Sequence, residues 1–265
     1  MNLVFASGFL VPQRFLGMDY FRGLKDHIGG RHATVFPEVP PVARSADRAA
    51  VLAVAIQNRF PTGEIHIIAH SMGGLDSRIL IARNLEGLSN PGRIKSLTTI
   101  STPHRGTPVA DLVVGPRPED DRREAYDAIT HAIGLLGIDI GSVNDLTTQG
   151  AAAIPDPMQT HPDIRYRSCC ASGRPGRSGL LGFLGIGVKK TCAAFVPTHS
   201  YIQTVTGQEN DGVVPLESAK YGELQQPFWQ CDHADAIGHN LDDPLNLGQS
   251  QFDHLAAYDA IIASL

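Results

Sequence analysis

Through the first hundred residues, short runs of apolar and β-branched residues alternate with stretches whose apolar positions recur every three or four. Strands are predicted at Asn2 to Ala6, Ala33 to Phe36, Glu64 to His70 and Ile94 to Ser101. Helices are predicted near Tyr20 to Ile28, from about Ser45 to Phe60, and after Ser71, where Leu75, Ile79, Leu80 and Arg83 follow helical spacing. A βαβα order implies a mostly parallel sheet with helices on both faces, so the fold class is α/β. Ligands of such sheets sit at the carboxyl ends of the strands.

After Asp111 the regular order stops. Residues 111–150 read as mostly helical: Pro116 to Glu124 is charged, whereas Ile129, Ala132, Ile133 and Leu136 fall on one helical face. A strand near Ile164 to Ser172 follows. Residues 173–187 then place Leu180, Leu181, Phe183, Leu184 and Ile186 among glycines, which predicts a mobile, partly apolar loop. Ser200 to Thr206 reads as a further strand, and about Gln251 to Ser264 as the final helix. No repeat, low-complexity tail or linker divides residues 1–265, which read as one domain.

Composition narrows the function classes. A hydrophobic share of 42% and a charged share of 18% are those of a globular protein. A net charge of -5 argues against a nucleic-acid partner, which would require a basic face. No run approaches the ~18 apolar residues of a membrane span. No basic stretch precedes the first strand, so the chain reads as cytoplasmic or as a secreted protein without its leader. Cys169, Cys170, Cys192 and Cys231 fit neither a zinc spacing nor a dense disulfide scaffold. Adjacent cysteines are awkward to use fully in bridges, which favours four buried thiols over one disulfide from Cys192 to Cys231 or to one of the adjacent pair.

The chemistry concentrates at Ala69-His70-Ser71-Met72-Gly73-Gly74, between an apolar strand and a helix. A strand turning sharply into a helix lifts the turn serine clear of the sheet and needs small neighbours, here Ala69 and Gly73; Gly74 permits close helix packing. Ser71 is therefore the candidate nucleophile of an acyl transfer. It needs a base, and the base an acid, following in the order Ser, Asp, His. Asp211, in Asn210-Asp211-Gly212 after the last predicted strand, is the candidate acid, although the same tripeptide is also a turn signal. Of the later histidines, His254 falls inside a helical pattern, while His233 and His239 are equally placed for the base. Gly8, after the first strand, lets backbone approach a ligand, making the Phe9 and Met72 amides the candidate oxyanion donors. His70 is read as a packed residue facing away from Ser71, and His104 as part of a turn carrying the chain out of the sheet.

Several blocks in this order resemble the bacterial true lipases of the Pseudomonas/Burkholderia and Staphylococcus type, within the α/β-hydrolase superfamily. They are Ser7-Gly8-Phe9, Ala69 to Gly74, Leu97 to Gly106 with its Pro-His-Arg-Gly, Asp145-Leu146-Thr147-Thr148, Asn210 to Val214, and Asp232-His233-Ala234-Asp235. The resemblance implies an α/β-hydrolase fold and hydrolysis of lipid or other esters, in some cases at a lipid–water interface. It implies Ser71 as nucleophile, Asp211 as acid, His233 rather than His239 as base, and Phe9 and Met72 as oxyanion hole, with no cofactor. It also implies a helical lid at 111–150. The chain departs from the pattern where the family's oxyanion-loop histidine is Ser7. Asp235 matches one of the two calcium-binding aspartates, but no aspartate lies between Asp163 and Asp211 for the other, and the zinc ligands of the Staphylococcus-type branch have no counterpart. The alternatives are a short-chain carboxylesterase or polyester depolymerase with the same triad, a non-hydrolytic ligand-binding member, and an acyltransferase.

Overall fold

Alternation along the first strand sets how the layers stack. In the computed structural model, which describes residues 1–9, 14–15, 18–90, 92–120, 123, 126–127, 130, 143–175, 190–242, 250 and 252–265, β1 (Asn2–Ala6) sends Leu3 and Phe5 into one apolar cluster and Val4 and Ala6 into another. Residues two apart share a face of a strand, so one strand serves two cores. The remaining strands of the six-stranded sheet are β2 (Ala33–Val35), β3 (Ile65–His70), β4 (Ile94–Ile100), β5 (Arg165–Cys169) and β6 (Glu223–Leu224). All pair in parallel, in the order β6-β5-β4-β3-β1-β2. Central β3 is apolar along most of its length because both its faces are covered.

The helices that matter for the site are α1 (Leu24–Ile28), α2 (Ser45–Arg59), α3 (Met72–Ala82), α4 (Pro108–Val114), α5 (Val196–Thr206) and α6 (His254–Ala263). On one face α2 buries Arg48, Ala49, Leu52, Ala53 and Ile56, a stripe at helical spacing, while α3 is buried from Met72 through Ile81. Phe21, Leu24 and Ile28 pack the opposite face together with Tyr258, Ile261 and Ile262. Fully burying each such side chain contributes about 1.5–3 kcal/mol, so the two clusters dominate what holds the sheet.

The predicted strand at Ser200 to Thr206 is a helix, α5. Its β-branched residues suggest a strand, but in the helix Thr204 and Thr206 donate their hydroxyls to the carbonyls four residues back, Ser200 and Ile202. Pro197 stands in the first turn and Gly207 ends the helix with φ of 68°, and buried His199 and Ile202 lie three apart. The final helix begins at His254, where the Asp253 carboxylate caps the Ala256 amide at 3.0 Å. The four cysteines are free and buried. Among the described residues no helix is long and apolar enough to cross a membrane. The part of the expected lid that carries Ile129, Ala132, Ile133 and Leu136, and most of the expected loop at 173–187, lie outside the described residues.

Candidate active site

The carboxyl ends of β1, β3 and β4 meet at Ser71. Its φ of 54° lies in the left-handed region that a side chain disfavours, and the surroundings hold it there. The Ser71 amide donates to the Ile100 carbonyl at 2.9 Å, and the Thr102 hydroxyl donates to the Ser71 carbonyl at 2.8 Å. A Cβ on Gly73 would lie 2.5 Å from the Ala6 carbonyl oxygen and 2.6 Å from that of Ser7, and one on Gly74 would overlap the Thr102 side chain. The two glycines thus let α3 start hard against β1 and β4.

Ser71, His233 and Asp211, far apart in sequence, form one relay. The His233 ring has Nε2 3.0 Å from Ser71 Oγ and Nδ1 2.7 Å from Asp211 Oδ2. Asp211 is 1% exposed, and its other oxygen accepts the Val213 and Val214 amides at 2.9 and 2.7 Å. Every position on this carboxylate that matters for its orientation is filled. The predicted reason for its placement is corrected, however: Asp211 leaves a turn after α5, not a strand. The His233 amide donates to the Asp211 carbonyl at 2.9 Å, tying the two loops together. Neighbouring Asp232 braces the base, since Oδ1 accepts the Ala234 and Asp235 amides and Oδ2 the Cys192 amide.

The oxyanion loop is held by a residue the sequence did not single out. Arg48, buried on α2, donates to the carbonyls of Ser7 at 2.7 Å, Gly8 at 2.9 Å and Pro40 at 2.7 Å, and pairs with Asp76 at 2.8 Å. With the Ser7 and Gly8 carbonyls turned toward Arg48, the next amide is that of Phe9. Gly8 approaches the nucleophile so closely that a Cβ there would lie 2.7 Å from Ser71 Cβ. Met72, at the first position of α3, has an amide without an intrahelical acceptor. Burial pushes the Asp76 carboxyl up to about 6, against the pull of Arg48. A buried arginine in an amphipathic helix, with a buried aspartate shortly after the elbow glycines, has no distinctive local pattern.

The remaining predicted residues have structural partners. His239 Nε2 meets the carbonyls of Asp19 and Tyr20, and His254 Nε2 that of Arg22, so neither reaches Ser71. His254 is half-buried, not simply on the helix surface. His104 stacks on Tyr221 at 4.2 Å and meets Thr99 Oγ1 at 3.0 Å, while Arg105 binds the carbonyls of Glu217 and Lys220; the Pro-His-Arg-Gly block fastens the loop after β4. Asp145 accepts from Arg44 and from the Ser45 amide at the start of α2. Asp235, the candidate metal ligand, accepts from the Ser250 hydroxyl at 2.6 Å and the Asp232 amide at 3.4 Å. Among the described residues no group of three or more His, Cys, Asp or Glu is arranged to hold a metal ion. His70 is packed, as predicted, but it packs against His233, with ring centroids 4.5 Å apart.

Comparison with known proteins bears on the fold. A family model described as alpha/beta hydrolase fold matches residues 13–136. The chain is 30% identical over 230 residues to triacylglycerol lipase 2 of Saccharomyces cerevisiae, covering 84% of this chain and 63% of the yeast protein. It therefore spans less than two thirds of that relative's length. It is 25% identical over 282 residues to a triacylglycerol lipase of Vibrio cholerae, covering 96% of this chain and 86% of the other. Among solved structures, the Staphylococcus hyicus lipase superposes with a TM-score of 0.67 at 20% identity, over 99% of this chain and 94% of that one. A metagenomic carboxyl esterase superposes with a TM-score of 0.68 at 15% identity, over 99% and 74%. At these identities the structural likeness concerns the fold.

Proposed function

We propose, on the premise that this chain has the α/β-hydrolase fold and resembles the bacterial lipases, that it hydrolyses carboxylic esters of lipids through Ser71, His233 and Asp211. The observation that carries the reading is the unbroken hydrogen-bonded relay from Asp211 through His233 to a serine on a strained elbow. His233 Nε2 takes the Ser71 proton as Oγ attacks the ester carbonyl, and Asp211 stabilises the imidazolium. The Phe9 and Met72 amides receive the oxyanion, each contributing roughly 3 kcal/mol in the transition state. His233 protonates the departing alcohol. Water, deprotonated by the same imidazole, then releases the acid and restores Ser71.

A lipid acyl chain is favoured over a short one by the apolar side of the oxyanion loop. The Phe9 side chain packs against the buried pair Ala110 and Val143, as does Leu146, so the oxyanion loop is flanked by apolar side chains. Hydrolysis of p-nitrophenyl esters from acetyl to palmitoyl tests both levels. Wild type cleaving the series, with Ser71→Ala and His233→Ala at background, supports the triad. Activity falling steeply with acyl length sinks the lipid assignment in favour of a short-chain carboxylesterase, and an inert wild type sinks the hydrolase reading.

A further inference from the structure

Two buried polar side chains beside the site take no direct part in this chemistry. The Tyr20 hydroxyl lies 2.7 Å from His70 Nδ1 and also packs against Gly8. The fit is close, since a Cβ on Gly8 would lie 2.5 Å from that hydroxyl. His70, the residue before the nucleophile, then lays its ring against that of His233, the centroids 4.5 Å apart and the planes inclined by 45°. An unbroken series of contacts thus runs from the oxyanion loop to the general base without passing through Ser71.

The donor inventory orients this chain. A phenol has one proton to give, and His70 Nδ1, at 2.7 Å, is placed to accept it. His70 then carries its own proton on Nε2 and stays neutral, in keeping with burial holding its pKa well below the ordinary histidine range. Neutrality matters at this spot, because a cationic ring 4.5 Å away would oppose the imidazolium that forms on His233. On the other side of the loop the Gly8 carbonyl is taken by Arg48. Gly8 is thus held between Arg48 and the Tyr20 hydroxyl, and the Phe9 amide is the donor that follows it.

We infer that Tyr20 and His70 are a positioning pair that couples the oxyanion loop to the general base, so that donor and base keep one mutual geometry through acylation. The inference rests on the ester-hydrolase reading above. It predicts a loss confined to the transition state, because neither side chain is required to hold the ground-state ester. Tyr20→Phe keeps the ring, which packs edge-on to Phe21 at 5.0 Å, and removes only the bridging hydroxyl.

The test measures kcat and KM on p-nitrophenyl butyrate, per active site titrated with a p-nitrophenyl phosphonate, for wild type, Tyr20→Phe, His70→Ala, the double variant and His70→Asn. Leaving a buried donor or acceptor unpaired predicts that Tyr20→Phe and His70→Ala each lower kcat roughly 10-fold at unchanged KM. The double variant is expected to lose no more than either single, and His70→Asn, whose amide oxygen replaces Nδ1 as acceptor, to recover most of the activity. Multiplicative losses in the double variant, a change in KM alone, or a Tyr20→Phe enzyme equal to wild type overturns the inference. A wild type inert toward every ester overturns the hydrolase reading instead.

Discussion

Replacing Asp211 by asparagine isolates what the acid of the relay does. Asp211 Oδ1 accepts two backbone amides, from Val213 at 2.9 Å and Val214 at 2.7 Å. An amide nitrogen cannot accept, so the substituted side chain must seat its carbonyl oxygen there and turn its NH2 toward His233 Nδ1, 2.7 Å from the present Oδ2. His233 Nδ1 then has to accept, which moves the ring proton to Nε2. That nitrogen, 3.0 Å from Ser71 Oγ, becomes a donor facing the group it should deprotonate. A wrong tautomer in intact geometry costs roughly 10⁴-fold in kcat, which is about 5.5 kcal/mol of barrier. All three hydrogen bonds survive, the one with His233 reversed in direction, so the change in folding stability stays within about 1–2 kcal/mol. Steady-state hydrolysis of p-nitrophenyl butyrate beside a urea denaturation curve measures both. A folded Asp211→Asn enzyme within tenfold of wild-type kcat would refute the assignment of Asp211 as the group that sets the His233 tautomer.

Three further outcomes follow from the packing around the elbow and in the core. Gly73→Ala drives a methyl against the Ala6 and Ser7 carbonyls and is expected to cost about 1–3 kcal/mol; an unchanged melting temperature would show that α3 is not seated against β1 as described. Asp76 holds its proton more tightly folded, at about 6, than in an unfolded chain, where an aspartate titrates near ~3.9. Its contribution to stability is present below about pH 4 and lost as pH rises through about 6, so Asp76→Asn should flatten urea-derived stability across that window, and an unaltered slope speaks against it. The buried cysteines, with burial pushing the Cys169 and Cys192 thiols up to about 12, should resist an aromatic disulfide reagent in the native protein and release four equivalents on denaturation; fast native labelling of any of them contradicts this.

Much of the active centre was legible because elbow chemistry is local. Ser71 needs a strand behind it, a helix ahead and small residues at fixed offsets, and each requirement is visible within about ten positions. The apolar runs of β1 and β3 and the helical spacing of α2 are likewise local, and the parallel sheet follows from their order. The misreading of α5 has an equally local cause: Ile202, Thr204, Val205 and Thr206 favour a strand, and only the back-bonded hydroxyls and the burial of His199 and Ile202 make the helix the better solution.

What the chain alone determined, then, is the candidate nucleophile, its elbow and the sheet that presents it, because those depend on contacts between near neighbours. The choice between His233 and His239 was not open to local reading, since both follow Asp211 in the required order and only the resemblance separated them. In the tertiary structure they differ by distance, one ring lying against Ser71 and the other against the Asp19 and Tyr20 carbonyls. Arg48, Asp76, Tyr20 and Asp232 were invisible for the same reason. Their roles are hydrogen bonds to backbone groups and side chains brought near by folding, and a carbonyl or amide in an oxyanion loop carries no side-chain signature of what will bind it.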